Sequence, residues 1–253
     1  VMGERPVVGR LYDRQAAGCD RMLDLAVHRS GETIVIEGEP ATGEPNRASA
    51  TVPTLLAQLR HEETVKGLAG MVVRHVRALT QFDRVMVYRF HDDGSGEVIA
   101  ESKASALPAY KGLRYPASDI PPQARALYVR NPIRLITDVD AQTAELVPQI
   151  DPMGQPLDLS MADLRAVSPV HIEYLRNMGV AASMSISIVV GGELWGLIAA
   201  HHQNPRHLSM AQRESLSFFG QMASSILESI ERSQELARQD RARGLHNRLL
   251  SQF

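Results

Sequence analysis

Asp119 lies in the stretch RYPASDIPP, Arg114 to Pro122, and its type and setting suit chemistry. Proline fixes its own φ and restricts the residue before it. Pro116, Pro121 and Pro122 therefore hold a short, stiff, non-repetitive backbone, and the carboxylate inside it is placed rather than floppy. The same residues also read as a capped turn, with Ser118 or Asp119 as N-cap of a helix beginning near Gln123. His201 and His202 are adjacent, so on a strand they point to opposite faces, which argues against both binding one metal. Their plainer reading is one buried and one exposed histidine. Ser183 and Ser185 lie two apart in an apparent strand, which puts both hydroxyls on one side. No Gly-rich phosphate loop, nucleophile elbow or zinc-protease helix is present. The single cysteine, Cys19, excludes an internal disulfide framework and a Cys-rich metal site. It fits a reducing, cytoplasmic setting.

These residues need elements to position them. Arg21–Arg29 alternates apolar and polar residues, Ser30-Gly31 turns, and Glu32–Glu39 returns, which is a hairpin signal. Pro40–Pro53 is rich in Gly, Pro, Ser, Thr and Asn and reads as a linker. Over Thr54–Thr80, Val65, Leu68, Ala69, Val72, Val76 and Leu79 recur at helical spacing. Arg84–Phe90 and Gly96–Ser102 read as strands around the turn Asp92-Asp93-Gly94. A proline-rich middle from Ala104 to Ser168 follows, with short helices expected at Gln123–Arg130 and Ser160–Ala166. A loop region of this length in a compact domain is usually functional. Next come a helix at His171–Met178, a strand at Ala182–Val190, the turn Gly191-Gly192 and a strand at Glu193–His202. Ser209 caps a long final helix reaching about Arg238 or beyond. This order predicts an α+β fold, an antiparallel sheet with helices packed on it.

The 253 residues leave room for one full domain and part of a second. Hydrophobic and charged fractions of 44% and 22% are those of an ordinary soluble protein. A net charge of -2 gives no case for nucleic acid or an anionic membrane as partner. No apolar run approaches the roughly 20 residues of a membrane-spanning helix. Val1–Arg10 lacks the apolar core of a signal peptide. The start at Val1 leads us to expect a fragment.

PASDIP resembles the pocket signature of phytochrome GAF domains. Five further stretches fit that family in order: FDRVMVYRF (Phe82–Phe90), GEVIAES (Gly96–Ser102), ARALYVRNPIRLI (Ala124–Ile136), LRAVSPVHIEYLRNMGVAASMSISIVV (Leu164–Val190) and LWGLIAAHH (Leu194–His202). Together they cover about residues 55 to 235. The resemblance implies a GAF domain over 46–235, preceded by the end of a PAS domain over 1–45 as a β-hairpin. A helical connection toward a PHY domain would follow over 236–253. It implies a bound linear tetrapyrrole (bilin), with Asp119 near the pyrrole nitrogens and Ile120 packed on the rings. His171 would contact the ring nitrogens. Arg134 and Arg165 would bind one propionate, assisted by Tyr128 and Ser168, and Ser183 and Ser185 would donate to the other. His201 would meet the terminal ring carbonyl, and Tyr88 and Tyr174 would flank that ring. The residue types suit such a ligand, because the planar fork of arginine pairs bidentately with carboxylate.

Part of the family attaches its bilin through a cysteine just before the pocket histidine, and this chain has Val170 there. The resemblance then implies the bacterial branch, bacteriophytochromes, which use biliverdin and a cysteine upstream of the PAS domain. Binding without a covalent bond is expected in this chain, with Cys19 the alternative anchor. The implied function is red/far-red light sensing, not enzymatic turnover. A homodimer through the final helix is implied, with PHY and histidine-kinase output domains in the parent protein. The rival functions are a GAF sensor of another small ligand such as a cyclic nucleotide, and a bilin reductase. An engineered fluorescent derivative of the family is compatible with the first reading.

Overall fold

The computed structural model describes residues 7–11, 23–41, 47–150 and 154–250. Cys19 lies outside the described residues. Strands β1 (Val7–Leu11), β2 (Leu23–Ser30) and β3 (Thr33–Pro40) form a three-stranded antiparallel sheet in that order. The expected hairpin is β2–β3, turned at Gly31 with a left-handed φ of 59° that glycine adopts without strain. Its orientation is unusual. Ile34 and Ile36 are 67% and 64% exposed, whereas Asp24, His28, Glu37 and Glu39 are buried. The alternation marks two faces, and the polar one turns inward because its carboxylates find partners there.

Helix α1 spans Arg47–Leu59 and α2 spans Val65–Thr80. The linker expected to run to Pro53 is therefore helical from Arg47, and residues 42–46 lie outside the described ones. Val52, Leu56 and Leu59, four and three apart, are buried in the core, while Pro53 faces solvent. Burial along that stripe outweighs the unfavourable propensity of one proline. The true break comes later, where Thr64 accepts a hydrogen bond from the Gly67 amide (3.0 Å) and starts α2.

The remaining elements are β4 (Arg84–Phe90), β5 (Gly96–Lys103), β6 (Arg114–Tyr115), a single 3-10 turn (Ala117–Asp119), α3 (Pro122–Arg130), β7 (Ile133–Ile136), α4 (Pro169–Asn177), β8 (Ala182–Val190), β9 (Glu193–His202) and α5 (Met210–Leu250). The strands form a six-stranded antiparallel sheet in the order β6-β5-β4-β9-β8-β7. The fold is α+β, as the sequence order predicts.

Two expectations in the middle segment are corrected. Ser160–Ala166 is not a helix. The Asp163 and Leu164 amides donate to the Glu37 carboxylate at 3.0 and 2.7 Å, and neighbouring carbonyls accept from arginines. Tertiary partners thus take the groups a helix would pair internally. Neither Ser118 nor Asp119 caps α3: Pro121 holds the N-cap position with no side-chain cap, and Pro122 begins the helix. Proline needs no amide partner there. Asp119 is left exposed.

The sheet has two unlike faces, as period-2 alternation requires. Val85, Val87, Met184, Ile186, Ile198 and Ala200 point to one side and join α1, α2 and α5 in the main core. Helix α5 contributes Leu216, Phe219, Ala223, Leu227 and Ile230 at spacings of three and four. Ser209 starts that helix as expected, with reciprocal bonds between Ser209 and Gln212 at 2.9 and 3.3 Å. The other face carries the polar residues of the same strands. Helix α4 is fastened to it by a small core of Ile136, Val139, Leu175 and Val180.

Candidate functional site

Strand register assembles five of the singled-out residues on that second face. Arg134 of β7 pairs with Ser185 of β8, and Ser183 pairs with His201 of β9. His201 in turn pairs with Arg84 of β4, and Tyr88 lies four residues along the same strand. Directly opposed residues of an antiparallel pair share a face. Arg134, Ser185, Ser183, His201, Arg84 and Tyr88 therefore line one surface. His202 points the other way, with Nδ1 2.7 Å from Asp83 Oδ2 and its ring against Phe82. Both histidines are half-buried, so the one-in, one-out reading does not hold.

The two arginines form the most telling part of this surface. Arg134 Nη1 donates to Asp163 O (2.6 Å), and Nη2 donates to Arg165 O. Arg165 Nη1 donates to Ala162 O at 2.5 Å. With its amide turned to satisfy both ends, buried Asn131 offers its oxygen to Arg165 Nη1 at 3.2 Å. No carboxylate stands within ion-pair distance of either guanidinium among the described residues. Burial and the charge of Arg165 lower the Arg134 pKa to about 10, and burial lowers that of Arg165. Asp163 and Glu37 offset part of this from a distance, and two desolvated cations side by side with no carboxylate in direct contact form a receptor for an anion. Tyr128 of α3 stands beside them, hydrogen-bonded to Ser185, and burial raises its phenol pKa.

His201 Nδ1 is buried and has no hydrogen-bond partner among the described residues. Burial, then Arg84 and His171, lower its pKa to about 4, so the ring is neutral at pH 7. A neutral imidazole holds one donor and one acceptor, and this one has its Nδ1 position unspent. His171 and Tyr174 sit three apart on α4 with rings stacked at 6.4 Å. Burial and Arg134 lower the His171 pKa.

Asp119 is exposed and faces a cluster of phenols. Burial, then the Asp119 charge, raise the Tyr88 pKa to about 12; the same two causes raise Tyr174 to about 12. Tyr115 lies 6.0 Å from the Tyr88 ring. Arg125 of α3 fixes the Asp119 turn by donating to Ile120 O (2.8 Å) and Gly94 O (2.5 Å), with its guanidinium 4.4 Å over Phe90. A Cβ on Gly96 would come 1.9 Å from Tyr88 Cζ, so glycine there leaves the space the phenol occupies.

Tyr88, Asp119, Tyr128, Arg134, Arg165, His171, Tyr174, Ser183, Ser185 and His201 are thus brought to one side of the sheet. Ile120 is half-buried at the end of the Asp119 turn. Ser168 is the exposed N-cap of α4, and its hydroxyl makes no capping bond. Sequence reading missed Tyr115, Arg125 and Arg84. Tyr115 stands inside RYPASDIPP, but its strand is only two residues long. Arg84 lies two turns of the pleat from Tyr88 in RVMVYRF, and only cross-strand register reveals it opposite His201.

Among the described residues no group of three or more His, Cys, Asp or Glu could hold a metal ion. No helix of these residues is long and apolar enough to cross a membrane. Residues 64–227 match the GAF domain family. The chain belongs to the GAF domain family. The chain is 43% identical over 233 residues to cyanobacterial phytochrome B of a Nostoc species, covering 90% of the chain and 31% of the relative. It is 44% identical over 216 residues to a bacteriophytochrome of Pseudomonas aeruginosa, covering 84% and 30%. A bacteriophytochrome of Xanthomonas campestris is 46% identical over 193 residues, covering 75% and 30%. The chain thus spans about a third of the length of these relatives, whose names all carry the phytochrome family.

Proposed function

We propose that this chain binds a linear tetrapyrrole, biliverdin, on the polar face of its sheet and serves as the sensory module of a red/far-red photoreceptor. The observation that carries the reading is the arginine pair: Arg134 and Arg165 are desolvated and adjacent, and Asp163 and Glu37 act on them only from a distance. A bilin brings propionates that meet this demand. Its long conjugated plane suits the phenols of Tyr88, Tyr115 and Tyr174, and its ring carbonyl suits the neutral ring of His201. The phytochrome relatives support the same ligand class.

In this reading the residues take the roles that the family resemblance implies. Arg134 and Arg165 bind one propionate, with Tyr128 and Ser168 beside them. Ser183 and Ser185 donate to the other. Asp119 and His171 hold the pyrrole nitrogens, Ile120 packs on the rings, and Tyr88 and Tyr174 flank the terminal ring. When bound, the bilin supplies visible absorption and a double bond that isomerises in light. The chain shields the terminal ring from water, holds its carbonyl through His201, and receives its rotation as a changed hydrogen-bond pattern that biases a bistable element. Val170 precedes His171 and cannot form a thioether, so this reading takes binding as noncovalent, with Cys19 the alternative anchor. Pairing with a second copy through α5, where Phe218 and Leu236 are 49% and 56% exposed, belongs to the same reading. So do PHY and output domains in the parent protein.

Titration with biliverdin followed by gel filtration tests the binding. A coloured protein peak carrying one biliverdin per chain is expected. A colourless peak that retains a cyclic nucleotide instead would establish the rival sensor, and turnover of biliverdin with a reductant would establish a reductase.

A further inference from the structure

We propose that Glu37, with Glu39 behind it, is a positioning residue that holds the Arg165 loop in its anion-receiving form. The proposal rests on the bilin reading for its ligand and on the polar hairpin face for its geometry. The loop from Ala162 to Arg165 is gripped from two sides. On one side its amides point to β3: Asp163 N and Leu164 N donate to the two oxygens of Glu37 at 3.0 and 2.7 Å. On the other its carbonyls point to the site: Ala162 O accepts from Arg165, and Asp163 O and Arg165 O accept from Arg134. The carboxylate thus fixes the peptide planes whose far ends orient both guanidinium groups.

The grip extends to the final helix. Glu39 accepts from the Met210 amide at 2.8 Å and from both terminal nitrogens of Arg213 at 3.2 and 3.1 Å. Arg213 Nη2 also stands 3.5 Å from Asp163 Oδ2. Glu37, Glu39 and Arg213 are each under a tenth exposed. Buried charges tied by several hydrogen bonds hold geometry tightly and are costly to leave half-paired. The hairpin, the arginine loop and the first turn of α5 therefore form one polar clamp, and this explains why the hairpin turns its acids inward and its isoleucines outward.

Glu37→Gln is the discriminating substitution. It keeps the shape but offers one acceptor oxygen to two amides, so one of them is left facing an NH2 group. In the ligand-free chain, hydrogen exchange at residues 162–165 is expected to quicken, while β8 and β9 keep their protection. The wild type is expected to prefer biliverdin to biliverdin dimethyl ester, whose propionates carry no charge. The variant is expected to narrow that preference about tenfold by weakening biliverdin alone. Glu37→Asp, which keeps the charge on a shorter arm, is expected to fall between the two. Unchanged exchange at the loop would overturn the clamp, and equal weakening of acid and ester would overturn its role in positioning the arginines. A wild type that retains neither compound would refute the bilin reading, and the exchange measurement would still decide the clamp.

Discussion

Replacing Arg134 with methionine is expected to weaken biliverdin binding on the order of a hundredfold to a thousandfold, measured by absorbance titration at fixed ionic strength. Removing one partner of a desolvated charge pair costs about 2–5 kcal/mol, because the other charge is left buried and unpaired. The ligand-free chain has no such partner at this position, so its stability changes far less. Methionine relieves the burial of a cation and its repulsion from Arg165, which together lower the Arg134 pKa to about 10. Against this, Asp163 O and Arg165 O lose their donors. Arg134→Lys is expected to recover only part of the affinity, since an ammonium cannot pair bidentately with a carboxylate. Equal affinity for wild type and Arg134→Met would remove the arginine from the site.

The second large effect is a pH dependence of folding traced to His201. Its folded pKa is lowered from 6.5 to about 4, chiefly by burial. Between those values the unfolded chain binds a proton that the folded chain refuses. Stability therefore falls as pH drops through this window and levels off below about 4. At about 1.4 kcal/mol per pKa unit the loss approaches ~3 kcal/mol. His201→Gln removes the titration, so the variant is expected to lose that much less stability than wild type between pH 6.5 and 4. Urea unfolding of both ligand-free chains across the window measures the difference. His171 shifts in the same direction and stays present in both chains, so the comparison isolates His201. Parallel pH profiles would show that His201 is hydrated rather than buried against the site.

Periodicity made most of the sheet legible. RVMVYRF, ASMSISIVV and ELWGLIAAHH each alternate or run apolar between turn glycines, and each is a strand within a residue of its expected bounds. Helix α1 was hidden by Pro53, whose cost is local, whereas the burial of Val52, Leu56 and Leu59 that outweighs it is tertiary. The loop at Ser160–Ala166 misled for the same reason in reverse: its amides belong to Glu37, more than a hundred residues away. Resemblance suggested roles for the site residues, and strand alternation indicated the faces of those on strands. Arg84 and Tyr115 were not, because cross-strand register decides which side chains meet, and no spacing along one strand encodes it. The inward acids of the hairpin belong to this class as well. Alternation shows that Glu37 and Glu39 share a face, and only the packed fold shows that the face is buried.

The central claim is that this polar face holds a light-responsive bilin. The most direct measurement is a visible absorption spectrum of the chain mixed with biliverdin, recorded before and after illumination with red light. The account predicts a red-shifted band on binding and a change of that band on illumination. A protein that stays colourless, or a bound spectrum that light leaves unaltered, would contradict it.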